Sequence, residues 1–297
     1  KMRFELLQPG NFSEALEMKR AYGERARILA GGTDLLVLLK DRKLKVEAVM
    51  SLRRIRELNF IRVEDGKGVR LGALVTHGDA VASPVIQERF PELAEACSQV
   101  GAVQMQNMGT VGGNLCNASP AADAAPPLLL MDALLTLASA TGERAVPIQD
   151  FFLGPRQTVL RADEILKEIF IPEVPGRRGA TYLKLGRRQA MEIAIVGVGV
   201  AIRLNGSDQQ IADCRIAMAS VAPIPLRARR GEQVLRSQTI KDELIEEAAE
   251  VAAEEASPIS DVRASRGYRL DMIRVLCRRA TREALARAQR KKQEGSK

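Results

Sequence analysis

A stretch of fifteen residues, 109–123, restricts what this chain can form more than any other part of the sequence. It contains three glycines, two asparagines, two hydroxyl side chains and one carboxylate, with few bulky side chains. Successive amide N–H groups in a glycine turn form a concave site for anions. We therefore expect residues 110–114 to bind a phosphate or diphosphate, and Asp123 to accept hydrogen bonds from hydroxyls of the same ligand. A tight surface loop with Asx and Ser/Thr turns has the same composition and is the alternative at this point.

A second glycine turn, residues 30–34, lies about eighty residues earlier, between a short apolar strand and an apolar helical run. In this order of elements, the unsatisfied N–H groups of the helix start face the turn, which favours phosphate binding. The turn is not a P-loop, since no Gly-Lys-Ser/Thr follows, and the Gly-x-Gly-x-x-Gly fingerprint is missing. Because each turn carries Thr and Asp, the pair indicates one long diphosphate ligand that is held from two sides.

These motifs resemble a known family. The segments that carry the resemblance are AGGTDLL at 30–36, TVGGN at 110–114 and SPAAD at 119–123. They are similar to the FAD-binding subunits of the xanthine dehydrogenase and carbon monoxide dehydrogenase family of molybdenum hydroxylases. Later blocks of that family follow in the same order, namely LGALVT at 71–76, YLKLGRR at 182–188 and DVRASRGYR at 261–269. The resemblance covers nearly the whole chain.

The resemblance implies an α+β fold with two domains. The first, residues 1–175, is expected to be a two-subdomain FAD-binding α/β domain of the PCMH type, with subdomains at about 1–56 and 57–175. The second, residues 176–290, is expected to be an antiparallel sheet with a helical bundle, and residues 291–297 a solvated tail. Residues 173–179, which contain proline and glycine, are the most credible linker.

The resemblance also implies FAD as the cofactor, with no catalytic side chain and no metal ligand in this chain. The flavin ring itself takes up and releases electrons, which suits a chain with one histidine and no convincing triad. Lys184 matches a lysine that lies near the flavin in this family. Without the resemblance, its sequence context predicts a lysine on the surface of a strand. The positions implied to bind FAD are Ile28, Leu29, Ala30, Gly31, Gly32, Thr33, Asp34, Leu35, Thr110, Val111, Gly112, Gly113, Asn114, Asn117, Asp123 and Lys184.

The function implied by the family is electron transfer within a larger assembly. An iron–sulfur subunit would receive electrons from a molybdopterin-binding subunit, and its [2Fe-2S] clusters would pass them through FAD to NAD or another acceptor. The substrate would bind on another polypeptide, so this sequence does not reveal it. Two other classes stay open, namely a non-catalytic nucleotide-binding or assembly subunit and a basic interaction protein.

The net charge of +8 is concentrated at one end of the chain. Residues 278–297 hold eight Lys/Arg against two acids, whereas residues 241–255 hold seven acids against one Lys. We expect helices over about 241–256 and 263–288 to lie side by side with these charges paired. No nucleic-acid partner is expected, since basic and aromatic residues are not interleaved.

Cysteine spacing and hydropathy bear on the cellular location of the protein. The four cysteines show no C-x-x-C spacing, so neither a disulfide framework nor a cysteine metal site is expected. No signal-peptide pattern and no membrane span is recognised, and we expect a cytoplasmic protein.

Local patterns predict several further elements. Helical spacing predicts a helix from Phe12 to Tyr22 that ends at Gly23, and alternating strands predict hairpins at about 60–73 and 133–148. The lone His77 is expected to be a surface or capping residue beside the helix cap Thr76. Gly197 and Gly199 lie inside a predicted strand, where glycines indicate close packing rather than nucleotide binding.

Overall fold

The computed structural model describes residues 3–188, 190–206 and 209–294. Helices and sheets occur in both halves of the chain. The helices are α1 (Phe12–Tyr22), α2 (Leu35–Lys40), α3 (His77–Ala82), α4 (Pro84–Arg89), α5 (Pro91–Ser98), α6 (Val103–Gln106), α7 (Val111–Asn117), α8 (Ala125–Leu130), α9 (Arg229–Leu235), α10 (Asp242–Glu255) and α11 (Arg266–Glu294). The strands are β1 (Glu5–Leu7), β2 (Ala26–Leu29), β3 (Ala48–Ser51), β4 (Ile61–Glu64), β5 (Gly68–Gly72), β6 (Leu134–Ser139), β7 (Gly142–Pro147), β8 (Phe152–Gly154), β9 (Gln157–Thr158), β10 (Ile165–Pro172), β11 (Arg177–Leu185), β12 (Val196–Leu204), β13 (Ile211–Ala219) and β14 (Leu226–Arg227). This mixture confirms the predicted α+β class.

Contacts divide the chain into two units whose segments alternate along the sequence. The first unit consists of Lys1–Ala80, Val103–Ala118 and Asp132–Glu173. The second unit consists of Val81–Ala102, Ser119–Met131 and Val174–Lys297. Two segments before residue 175 therefore belong to the unit that contains the C-terminal elements. The predicted division into 1–175 and 176–290 stays a prediction about domains.

The first unit contains a small parallel sheet in the order β1-β3-β2. Its helix α1 begins where Asn11 Oδ1 accepts a hydrogen bond from the Glu14 N–H at 2.9 Å, and it ends at Gly23, whose φ is 54°. An Asn cap and a positive-φ glycine are ordinary start and stop signals, which explains why sequence reasoning located this helix. The central strand β3 is buried along its length.

A second sheet of the first unit has five antiparallel strands in the order β4-β5-β10-β6-β7. Both predicted hairpins are confirmed, as β4 with β5 and as β6 with β7. The first hairpin turns at Gly66, whose φ of 67° favours glycine.

The second unit is built on an antiparallel sheet in the order β11-β12-β13-β14. Alternate residues of β12, including Val198, Val200 and Ile202, pack into an apolar core with α10 and α11. The residues between them, among them Gly197 and Gly199, are small. A Cβ on Gly199 would lie 3.0 Å from Leu130 Cδ1 of α8, so the helix packs directly on this face. The predicted packing role of these glycines is confirmed.

The acidic helix α10 and the basic helix α11 are paired by charge, as predicted. Arg274 Nε lies 2.6 Å from Glu250 Oε2, and Arg278 Nη1 lies 2.6 Å from Glu246 Oε2. These pairs are partly exposed, so each contributes less than about 1 kcal/mol to stability. They set basic charge of α11 against acidic charge of α10.

Several boundaries differ from the sequence predictions. Strand β11 begins at Arg177, inside the predicted linker. Helix α11 continues to Glu294 and so enters the predicted solvated tail, of which residues 295–297 lie outside the described residues. The four cysteines are free thiols. Within the described residues, no helix is both long and apolar enough to cross a membrane.

Candidate cofactor site

The two glycine turns contact each other within the first unit. A Cβ on Gly31 would lie 2.0 Å from the Met108 carbonyl oxygen and 2.8 Å from Gly109 Cα. A Cβ on Gly113 would lie 3.6 Å from Ala30 Cβ. The absence of a side chain at Gly31 therefore lets two backbone segments touch. The sequence placed these turns about eighty residues apart, and the fold brings them together.

The first turn presents a run of uncommitted backbone amides. The N–H groups of residues 31–35 donate to no acceptor among the residues that the structure describes. The chain turns at Gly32, whose φ is 81°, and the Gly32 carbonyl accepts from the Leu36 N–H at 3.1 Å. Consecutive amides of this kind form a concavity that suits an anion.

The second turn proves to be a short helix, α7. Thr110 is its N-cap, and its Oγ1 accepts from the Gly113 N–H at 2.9 Å. A Cβ on Gly112 would lie 2.5 Å from the Ala73 carbonyl oxygen, so this glycine also serves backbone packing. Asn114 Oδ1 is buried without a hydrogen-bond partner among the described residues. Buried polar atoms in folded proteins nearly always have a partner, so this oxygen can accept a hydrogen bond from a group other than the described residues.

His77 is buried beneath these turns, so the expectation of a surface residue is wrong. Its exposed fraction is 1%, and its backbone N–H donates to the Gly109 carbonyl oxygen at 3.0 Å. Burial lowers the pKa of His77 to about 4, so the ring is neutral at physiological pH. The capping role belongs to Thr76, whose Oγ1 accepts from the Asp79 N–H, while Asp79 accepts from the Thr76 N–H.

Asp123 and Lys184 form a buried ion pair in the second unit. Lys184 Nζ lies 2.7 Å from Asp123 Oδ2 and also donates to the Gln99 carbonyl oxygen at 2.8 Å. The Tyr182 hydroxyl donates to Asp123 Oδ1 at 2.7 Å. Burial raises the pKa of Asp123, and the attraction of Lys184 opposes this change. Burial and the neighbouring carboxylate raise the pKa of Tyr182, so its hydroxyl stays protonated.

The predicted site residues thus fall into two groups. Residues 28–35 and 110–114, together with Asn117, belong to the first unit, whereas Asp123 and Lys184 belong to the second. Sequence reasoning missed Tyr182 as a partner of Asp123. Fifty-nine residues separate the two, and no local pattern links them. The interpretation of Lys184 as a strand-surface lysine is wrong, since its side chain is 6% exposed.

Comparisons with known proteins agree on one family. Residues 2–174 match the FAD binding domain in molybdopterin dehydrogenase, and residues 181–284 match the CO dehydrogenase flavoprotein C-terminal domain. The carbon monoxide dehydrogenase medium chain of Hydrogenophaga pseudoflava is 34% identical over 96% of this chain and 98% of its own length. The xanthine dehydrogenase FAD-binding subunit of Escherichia coli O157:H7 is 32% identical over 89% of this chain and 90% of its own length.

The solved structures give the same result. Carbon monoxide dehydrogenase from Hydrogenophaga pseudoflava superimposes with a TM-score of 0.92 at 34% identity, covering 96% of this chain and 98% of the matched chain. The family matches confirm the predicted cofactor, FAD, and the predicted class, an oxidoreductase flavoprotein. This chain belongs to the FAD-binding flavoprotein subunits of the molybdenum hydroxylases, the family of the xanthine and carbon monoxide dehydrogenases.

Proposed function

We propose that this chain transfers electrons within a larger assembly. It would receive them from the [2Fe-2S] clusters of an iron–sulfur subunit, which is served by a molybdopterin-binding subunit, and pass them to NAD or another external acceptor. The relative from Hydrogenophaga pseudoflava is named a medium chain, which supports a place beside other subunits. A cytoplasmic location is part of the proposal.

The observation that carries the proposal is the run of uncommitted amides at residues 31–35. A diphosphate bears negative charge that these amides can hydrogen-bond. We assign residues 28–35 and 110–114 to the diphosphate and ribityl region of FAD, with Asn117 as a further polar contact. The unpartnered Asn114 Oδ1 suits a hydroxyl donor of the ligand. FAD, when bound, supplies the redox chemistry, and the chain binds and orients it.

We further assign Asp123 and Lys184 as FAD contacts. The Lys184 ammonium has three N–H donors, of which two are engaged by Asp123 and the Gln99 carbonyl. Among the described residues the third donor has no acceptor, so it is available to a ligand. Because the Lys184 ammonium is buried, its field is screened less than it would be in water and acts more strongly on a group bound beside it.

The test is electron transfer to the isolated flavoprotein. The chain is purified under oxygen-free conditions, and its flavin absorbance at about 450 nm is followed after mixing with the chemically reduced iron–sulfur subunit. We expect this absorbance to fall after mixing, as the flavin is reduced, and to recover when the acceptor is added. The oxidised iron–sulfur subunit is the matched control and should cause no bleaching.

Two results would count against the proposal. A purified chain without flavin bands would favour the nucleotide-binding or assembly subunit. A flavin that stays oxidised while the complete assembly turns over would show that electrons take another route.

A further inference from the structure

Both carboxylate oxygens of Asp123 are held by donors from β11. The Tyr182 hydroxyl donates to Oδ1 and the Lys184 ammonium donates to Oδ2, each at 2.7 Å. Tyr182 is 2% exposed and Asp123 is 6% exposed, so water does not replace these bonds readily. With one donor the carboxylate would be free to rotate about its terminal torsion, which is soft. With two donors its plane is fixed.

The Lys184 ammonium is in turn held at two points. It donates to Asp123 Oδ2 and, at 2.8 Å, to the Gln99 carbonyl oxygen just after α5. A lysine side chain has four flexible carbon–carbon torsions, and an isolated ammonium has no preferred direction. The Gln99 carbonyl and the Asp123 carboxylate together fix the direction of this ammonium. The orientation of the Asp123 carboxylate depends in turn on the hydrogen bond from the Tyr182 hydroxyl.

Gly197 makes room for that hydroxyl. Residue 197 pairs with Lys184 across β11 and β12, and Gly199 pairs with Tyr182. A Cβ on Gly197 would lie 2.2 Å from the Tyr182 hydroxyl oxygen and 3.0 Å from its Cζ. Any side chain at this position would push the Tyr182 ring away from Asp123. The glycine that the sequence assigned to packing therefore has a specific neighbour.

We propose that Tyr182 is a positioning residue, which orients the Lys184 ammonium through Asp123, and that Gly197 permits this arrangement. The proposal rests on the assignment of Lys184 as an FAD contact. It extends that assignment to two residues that make no contact with FAD in our proposal. The Tyr182 hydroxyl acts only through the carboxylate that it shares with Lys184.

The first test is a double-mutant cycle with Tyr182→Phe and Lys184→Gln, read by FAD affinity and by the flavin midpoint potential. We expect Lys184→Gln to weaken FAD about tenfold and to lower the potential, because a positive charge favours reduced flavin. Tyr182→Phe should weaken FAD several-fold alone and have no further effect in the Lys184→Gln background. Additive effects would overturn the proposal, since they would show that Tyr182 acts independently of Lys184.

The second test needs no cofactor. Acetylation of Lys184 in the apoprotein, followed by mass spectrometry, reports whether the ammonium is held in its buried position. We expect at least about tenfold faster labelling in Tyr182→Phe and in Gly197→Ala, and no change in Tyr268→Phe, which alters an exposed tyrosine. Circular dichroism shows whether each variant is folded.

Equal labelling rates in wild type and in folded Tyr182→Phe would overturn the positioning role. If Tyr182→Phe is labelled faster than the wild type but the wild-type chain binds no FAD, only the proposed function is contradicted. The two failures are thereby distinguished.

Discussion

At the scale of single residues, the glycines of the cofactor turns have different physical roles. Gly31 and Gly112 stand where another backbone is too close for a Cβ. Gly32 has a φ of 81°, which side chains rarely adopt, and its neighbours are flexible side chains of Leu29 and Leu36. Gly113 has no positive φ, and a Cβ there would lie 2.8 Å from the Thr110 Oγ1 that caps α7. Only at Gly32 does conformation demand glycine.

We therefore predict that Gly32→Ala weakens FAD binding by roughly five- to thirtyfold, since the turn that presents the amides would be strained by about 1–2 kcal/mol. Gly66→Ala is a matched control. Its φ is 67°, no atom lies within 4 Å of a Cβ there, and it belongs to a hairpin turn. Both variants should lose similar stability in urea unfolding, but only Gly32→Ala should lose FAD in fluorescence titration. Equal FAD affinity in the two variants would refute the assignment of this turn.

Also at this scale, the sequence did not indicate which side chains the proposed site residues contact. The family resemblance pointed to Asp123 and Lys184, and the structure shows them bonded to each other. Their ion pair joins residues sixty-one positions apart, and no periodicity encodes such a contact. The earlier picture of Asp123 as a simple hydroxyl acceptor is incomplete, because Tyr182 and Lys184 already occupy both of its oxygens.

At the scale of elements, regular patterns were predictable and short or glycine-rich helices were not. Helix α1 has an Asn cap and a glycine stop, and α10 has acids and alanines over fourteen residues. Helix α7 has two glycines among seven residues, which lowers its intrinsic propensity by about 1 kcal/mol each. Tertiary packing, including the fit of Gly112 against Ala73, overrides that propensity. The Thr110 cap was the one local signal of this helix.

The first turn of α11 carries a buried arginine, Arg269, which is paired with a carboxylate just before the helix. Arg269 is 3% exposed, and its Nη2 lies 2.8 Å from Asp261 Oδ1. Burial alone would raise the pKa of Asp261, but the Arg263 N–H, the Arg269 guanidinium and the Ala264 N–H together lower it to about 2. Since the folded pKa lies below the unfolded value, the ionised carboxylate stabilises the fold above about pH 4. That contribution is lost as the pH falls from about 4 toward 2.

We predict that Asp261→Asn lowers the free energy of unfolding by about 2–3 kcal/mol at pH 7, because it leaves a buried guanidinium without its carboxylate. The control Glu250→Gln removes an exposed pair with Arg274 and should cost less than about 1 kcal/mol. In urea melts between pH 7 and 2, the difference between wild type and Asp261→Asn should shrink below pH 4. A difference that is constant across this range would show that the charge of Asp261 is not responsible.

At the scale of the whole molecule, sequence order and spatial order differ. The linker near residue 175 suggested a clean division, and the family matches also change between residues 174 and 181. Yet α5 packs on β11, and α8 packs on β13, within the second unit. Arg287 Nη1 of α11 lies 2.5 Å from Glu95 Oε1 of α5. Composition suggested a linker near residue 175, but it did not indicate which earlier helices pack on the later sheet.

We accordingly predict that the chain does not separate at residue 175 into two stable pieces. In a fragment of residues 1–175, α8 would lose β12 and β13, against which it packs, and Leu130, which is 1% exposed in the full chain and faces Gly199, would lose that cover. Burying one such side chain contributes about 1.5–3 kcal/mol, and α5 would likewise lose its contact with β11, so the loss is a large share of the roughly 5–15 kcal/mol that stabilises a domain. Each fragment expressed alone should lack a cooperative thermal transition by circular dichroism. A chain that is folded first and then cleaved at an inserted protease site after residue 175 should keep its transition, because both pieces are already packed. A fragment of residues 1–175 that unfolds cooperatively and retains FAD by itself would show that α5 and α8 do not need the C-terminal sheet.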